Sequence, residues 1–261
     1  MRSFFFLVLL LPAFCFAGGN AEKLDTVIVK DPRGAGWQTF RVVQHADGVL
    51  REEGRLLNGK KEGLWRTYFD NRFIATIEEF HNGQRYGLSM QFAGDGTIMR
   101  EEVYAGDRKN GLMRVYGRNK KIKEETHYRN DTLHGEQFIY YKEAGTLQEH
   151  AHYVHGRRDS VNTWFHESGG VSARYTYKTN NIDGPATMYY PNGKVKAQGG
   201  FVTNTEAGLW KEFYENGKPK AEGKYRGGMK IGPWKLYDEN GNLTRTEEYD
   251  DNGQLKSTQL K

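Results

Sequence analysis

Apolar residues recur along this chain in short runs of about six, rich in Tyr, Phe and Trp, and each run ends at a polar turn. The turn pairs are Asp47-Gly48, Asn58-Gly59, Asn82-Gly83, Asp95-Gly96, Asn192-Gly193, Asn216-Gly217, Asn240-Gly241 and Asn252-Gly253. Asn-Gly and Asp-Gly tolerate positive φ and are the strongest short-range signal for a β-hairpin. No run follows a helical period, so the pattern predicts an all-β chain.

The pattern returns every 24 residues. Asp47, Asn71, Asp95, Asn119, Asn192, Asn216 and Asn240 hold one slot, with Ala144 and Ser168 in the remaining two and a single step of 25 before Ala144. A period this strict means one supersecondary unit copied about nine times. The clearest copy starts Gly208-Leu-Trp-Lys-Glu-Phe-Tyr-Glu-Asn-Gly, and the next starts Gly232-Pro-Trp-Lys-Leu-Tyr-Asp-Glu-Asn-Gly. The expected fold is an elongated single antiparallel meander of about nine 24-residue hairpin repeats, about 18 strands, over residues 35–261. Residues 18–34, polar with Pro32 and Gly34, read as a leader into an atypical first repeat.

Side-chain parity assigns faces. With the opening Gly counted as zero, position one holds Leu64, Leu88, Leu112, Pro185, Leu209 or Pro233, and position five Tyr68, Tyr116, Tyr140, Tyr189, Phe213 or Tyr237. On the return strand, position eleven holds Ile74, Ile98 or Val195, and position seventeen Phe80, Tyr104, Tyr128, Tyr177, Phe201, Tyr225 or Tyr249. All are odd. They share one apolar face only if both connecting loops are odd, which predicts three- or five-residue loops with Gly193, Gly217 and Gly241 left-handed, and no two-residue turns. The even positions carry Trp65, Trp210 and Trp234 alternating with Phe69, Tyr190 and Tyr214. Two readings stay open there: stacked aromatics offered to a protein or sugar, or Trp packed on the neighbouring hairpin to close the stack.

The recurring Gly-x-Trp (Gly63-Leu64-Trp65, Gly208-Leu209-Trp210, Gly232-Pro233-Trp234), the aromatic three residues later, the Asn-Gly turn and the Tyr-x-x-Gly ending at Gly228 resemble the membrane-occupation-and-recognition-nexus (MORN) repeat. The likeness is greatest to its bacterial variant, labelled YwqK-family antitoxin, and covers roughly residues 35–261. Repeats two and seven to nine match well, whereas repeats three to six lack Trp at position two. Choline-binding cell-wall repeats use similar residues on a shorter unit. The resemblance implies a β-hairpin scaffold, a protein partner and an antitoxin or immunity-like role.

Met1-Arg2, the apolar run Phe4 to Leu11 and Cys15-Phe16-Ala17 before Gly18-Gly19 read as a signal peptide over residues 1–17, too short to span a bilayer. An exported chain, periplasmic, cell-surface or secreted, is expected. Its lone Cys leaves with the signal, and no later stretch suits a membrane helix. Lys and Arg number 38 against 33 Asp and Glu, too small an excess over 261 residues to imply nucleic acid. Aromatics reach 13% while hydrophobics total 37%, which suits one sheet held by aromatic ladders.

Little points to chemistry. His127, His150 and His152 are weak metal candidates: His150 and His152 share a strand face, but the slot of His127 and His152 holds Glu79, Lys224 and Glu248 in other repeats and reads as solvated. Arg114, Arg118, Lys120, Lys121 and Lys123 form a basic turn suited to anionic lipid or glycan, or simply to a soluble hairpin tip. Glu101-Glu102 and Glu247-Glu248 point to opposite faces, against shared acid-base work. No catalytic constellation or cofactor motif stands out. A non-enzymatic exported scaffold for protein–protein interaction is expected, with an envelope binder of anionic lipid or glycan as the alternative. Repeats three to six, Gly87 to Asp183, depart most from the consensus, so they are either decayed or specialised for a partner, and specialisation is the expected reading.

Overall fold

The computed structural model describes residues 24–44 and 48–261. The expected signal peptide, 1–17, and Asp47 lie outside the described residues. Within them the chain is all-β, an open antiparallel meander of 21 strands with no helix. Its contacts divide it into two compact units, 1–122 with 127–132, and 123–126 with 133–261.

The first unit holds β1 (Leu24–Lys30), β2 (Trp37–Gln44), β3 (Leu50–Leu57), β4 (Lys60–Tyr68), β5 (Ile74–His81), β6 (Gln84–Phe92), β7 (Ile98–Ala105), β8 (Arg108–Lys109) and β9 (Gly111–Tyr116). Residues of β10 (Ile122–Arg129) fall in both units. The second continues through β11 (Thr132–Tyr140), β12 (Leu147–Val154), β13 (Arg157–Phe165), β14 (Val171–Lys178), β15 (Asn181–Tyr189), β16 (Val195–Val202), β17 (Thr205–Phe213), β18 (Pro219–Arg226), β19 (Met229–Tyr237), β20 (Leu243–Tyr249) and β21 (Leu255–Leu260). Strand β1 lies inside the stretch read as a polar leader. It alternates Leu24, Thr26 and Ile28 with Asp25 and Val27 and pairs along its whole length with β2.

Two loop types alternate, and this overturns the expected parity. One type is three residues long, as in Glu215-Asn216-Gly217, where Tyr214 N–H donates to Lys218 O at 2.9 Å and Gly217 takes φ +91. Gly193 and Gly241 are left-handed as expected, at +82 and +84. The other loops are two-residue turns with both residues at positive φ, such as Gly227-Gly228 between the paired Arg226 and Met229. Asn58-Gly59, Thr179-Asn180 and Thr203-Asn204 do the same. These are the hairpin turns whose twist matches that of the strands. A bulge beside each three-residue loop completes the correction: Thr67 faces Thr76 while Tyr68 faces Ile74. Even positions of the outgoing strand therefore share a face with odd positions of the return strand, and Trp65 lies with Phe80, not opposite it.

Ties between successive repeats occupy both edges. Asn216 accepts Lys218 N–H at 2.8 Å in its own turn and donates Nδ2 to Glu239 O of the next at 2.8 Å; Asn192 and Asn71 repeat the pattern. The recurring Asn is thus both a turn residue and a rivet. At the two-residue turns, Gly228 N–H donates to Glu206 O and Asn204 N–H to Ile182 O.

Candidate interaction surface

Gly63, Gly208 and Gly232 open each Trp repeat at φ +70, +72 and +61. An L side chain resists that torsion, and here it lets three residues bulge against one. Gly208-Leu209-Trp210 stand opposite Gly199 alone, because Gln198 pairs with Lys211 and Gly200 with Ala207. The bulge turns the indole back over the facing glycine. A Cβ on Gly54, Gly199 or Gly223 would lie 2.3, 2.2 or 2.3 Å from the ring of Trp65, Trp210 or Trp234. Each indole N–H then donates to the carbonyl of the following residue, Arg55, Gly200 or Lys224. Trp65, Trp210 and Trp234 are 3%, 6% and 1% exposed.

Ring contacts run on across the second unit: Tyr175 with Phe201, Phe201 with Trp210, Trp210 with Tyr225 and Tyr225 with Trp234, at 6.0, 5.4, 6.0 and 4.9 Å, all edge-to-face. Lys230 lies 4.4 Å over Trp234 and 5.5 Å over Tyr249, and in the first unit Lys61 lies 4.0 Å over Trp65. Of the two readings of the even-position aromatics, the packing one holds. Tyr190 and Tyr214 are likewise tied into the array, their hydroxyls donating to Phe213 O and Tyr237 O at 2.8 Å.

Where Trp is missing, its glycine is missing too. Position two and the residue eleven before it are Ser89 and Glu78, Met113 and Glu102, Gln137 and Thr126, Asn162 and Ala151. Gln137 donates to Glu124 and Thr126 at 3.2 and 3.3 Å, and Asn162, fully buried, donates to Asp159 O and Ser160 O. Glu102, 4% exposed, accepts Lys109 and Tyr104 at 2.8 Å each. Burial alone would raise its carboxyl, but Lys109, Tyr104 and Arg100 outweigh that and hold it below the usual range. Burial, then the bond to Glu102, pushes the Tyr104 hydroxyl up to about 12. The consensus departures in Gly87 to Asp183 thus include compensated core pairs, which removes position two from the case for a binding surface there.

The opposite face carries a polar ladder beneath an apolar row. Tyr68, Tyr116, Tyr140 and Tyr237 each donate to the glutamate fifteen residues earlier, Glu53, Glu101, Glu125 and Glu222. Burial first, then Glu53, pushes the Tyr68 hydroxyl up to about 12. Tyr189 and Phe213 are half-buried at the same position. Position-one residues, expected in the core, stand out from this ladder: Leu64 and Leu88 in the first unit are 51% and 43% exposed, and Leu209 in the second 53%; Val161, which follows Ser160 in place of an opening Gly, is 52% exposed in the equivalent slot. This row was missed because the parity count joined it to the buried rings. Its signal was the absence of any aromatic at position one.

The basic turn is open. Arg118, Lys120 and Lys121 are exposed on the Gly117–Lys121 hairpin, and Lys120 takes φ +64 in the slot that holds Arg72 at φ +69 in the second repeat and Gly217 or Gly241 in later ones. Arg114 sits apart on the ladder beside Glu101, at 3.7 Å. Lys123, exposed, falls in the second unit. Asp95 is held below its usual range by the Thr97 hydroxyl and N–H, with a further pull from Lys120.

His150 and His152 sit on β12, where His150 stacks on Phe138 at 4.6 Å and meets Glu136 at 2.5 Å. His152 faces Glu136 and Asp159 with Nδ1 buried, so this slot is less solvated than expected. His127 lies on β10, in the first unit. Among the described residues no three His, Cys, Asp or Glu side chains are gathered as metal ligands. No described helix is long and apolar enough to cross a membrane.

A search of curated proteins gave no match. Residues 109–130, 182–202, 207–226 and 230–251 match a family described as the MORN repeat variant, about a third of the chain. Two of the matched segments, 109–130 and 182–202, carry no Trp at position two, where Met113 and Ala186 stand. Over these four segments the chain is similar to MORN-variant repeats, and in this chain the segments fall on the strand pairs β9–β10, β15–β16, β17–β18 and β19–β20.

Proposed function

We propose that the chain is a non-catalytic, exported repeat scaffold that binds a protein partner through the face bearing position one. The carrying observation is the division of labour between faces. The Trp side is consumed by packing, while the other side leaves Leu64 and Leu88, and in the second unit Val161 and Leu209, exposed in register. Exposed apolar residues repeated in register mark interaction surfaces. Export rests on the apolar run Phe4 to Leu11 and the site after Ala17. The antitoxin or immunity role implied by the resemblance is the narrower form, in which the partner is toxic when expressed alone.

A photo-crosslinker placed at Leu64 or Leu209 in the intact producing cell is expected to capture a protein, and one at Tyr225 is not. The chain recovered with that protein should begin at Gly18. Recovery of lipid or glycan alone, or equal capture from both faces, would overturn the proposal. A second reading, an anionic lipid or glycan surface, is favoured by one observation. Lys120 holds a left-handed torsion that Gly would hold at lower cost, so its charge is retained against a local penalty of about 1 kcal/mol. Flotation with anionic liposomes that Lys120→Gly abolishes would support it.

A further inference from the structure

In the second unit the exposed row continues as Pro185, Leu209 and Pro233, all on one face. Each is 24 residues and two strands from the next, which sets them about 10 Å apart. Between Pro185 and Leu209 lies a depression of about 360 Å³, lined also by Thr187, Gln198 and Lys211. Between Leu209 and Pro233 lies one of about 550 Å³. Its charged lining is Lys211, Lys224, Arg226 and Lys235 against Glu222 and Asp251. Arg226 pairs with Asp251 at 2.9 Å, and Lys211 and Lys235 lie 3.8 and 3.6 Å from Glu222, which also accepts Tyr237 at 3.0 Å, so the lining keeps an excess of two positive charges.

We propose that this row docks an acidic amphipathic α-helix of the protein partner, with one large apolar residue entering each depression. The inference rests on the protein-binding reading above and specifies its partner. The repeat distance selects the helix. Residues seven apart on a helix lie about 10.5 Å apart on the same side, close to the spacing of the row. An extended strand covers a similar distance in three residues, but its side chains then point to opposite sides. The cationic excess of the larger depression selects carboxylates beside the apolar positions.

The test uses the full chain and a labelled 24-residue helical peptide with Leu at every seventh position and Glu on both sides of that stripe. Fluorescence anisotropy should show binding at least tenfold tighter than for a peptide of the same composition with Leu at every fifth position. Leu209→Ser should weaken it at least tenfold with an unchanged unfolding transition, and Lys224→Glu should weaken it and flatten its salt dependence. Equal binding of the two peptides, or indifference to Leu209→Ser, overturns the proposal. So does self-association of the chain that Leu209→Ser abolishes, which would assign the row to a second copy. If crosslinking captures a protein while the peptide fails, the helix is wrong and the scaffold reading stands.

Discussion

Gly223→Ala is expected to destabilise the C-terminal repeats by about 3 kcal/mol, although it adds a single methyl group. Gly223 has no left-handed torsion to preserve, so the backbone accepts alanine; the obstacle is the Trp234 indole, whose Cδ2, Cε2 and Cγ lie 2.3 to 2.5 Å from where the methyl carbon would sit. The ring cannot swing aside easily. Its N–H is bound to Lys224 O at 3.2 Å, Tyr225 meets it edge-on, and Lys230 covers it. Trp234→Ala alone should cost about 4 kcal/mol through the cavity it leaves. The double variant should cost about 2 kcal/mol less than the two losses together, because the new methyl occupies part of that cavity. Hydrogen exchange of the β18 and β19 amides reads each variant locally, which matters where repeats need not unfold as one. Additive losses would mean that Gly223 is chosen for some reason other than the ring above it.

That pair also shows what the sequence displayed and what it concealed. The period, the hairpins and the all-β class were legible because Asn216-Gly217 and its equivalents report a turn from two adjacent residues. Face assignment failed because it needed the parity of every loop, and Thr203-Asn204 and Thr179-Asn180 make two-residue turns without Gly. The bulge at Gly208-Leu209-Trp210 adds a second shift that no local propensity announces. Strand β1 was concealed by Pro32 and Gly34, which mark the turn after it, not disorder through it. The ring-over-glycine contact was readable: Gly54, Gly199 and Gly223 each precede a position-two Trp by eleven residues. Where that glycine became Glu102 or Thr126, the Trp became Met113 or Gln137, so apparent decay at one position was compensation at another. The exposed row was concealed more deeply, since Leu209 is as apolar as a core residue and only the register shows that it faces outward.

Lys109→Met should destabilise the first unit by about 3 kcal/mol at neutral pH, the low end for a buried ion pair losing one partner, because the Lys109 side chain keeps 29% exposure. It would leave Glu102, 4% exposed, with Tyr104 at 2.8 Å and Arg100 at 3.5 Å as remaining partners. The sign of the pH dependence separates this from simple loss of packing. In the native protein the Glu102 carboxyl is held below its usual range, so its contribution is present above the ordinary Glu value of about 4.3 and is lost as pH falls through the lowered one. Without the ammonium, burial, the largest influence on that carboxyl, acts less opposed and raises it. Protonation then relieves the variant, and the stability gap between the two proteins should narrow as pH falls from about 7 towards 4. Adding Glu102→Gln to Lys109→Met should recover most of the loss at neutral pH, since the amide can still accept the Tyr104 hydroxyl without carrying a charge. Urea unfolding of the three proteins across that range makes the comparison. A gap that is constant with pH, and unchanged by Glu102→Gln, would mean that Lys109 acts through its packing on the Tyr128 ring, 5.3 Å away, and not through the carboxylate.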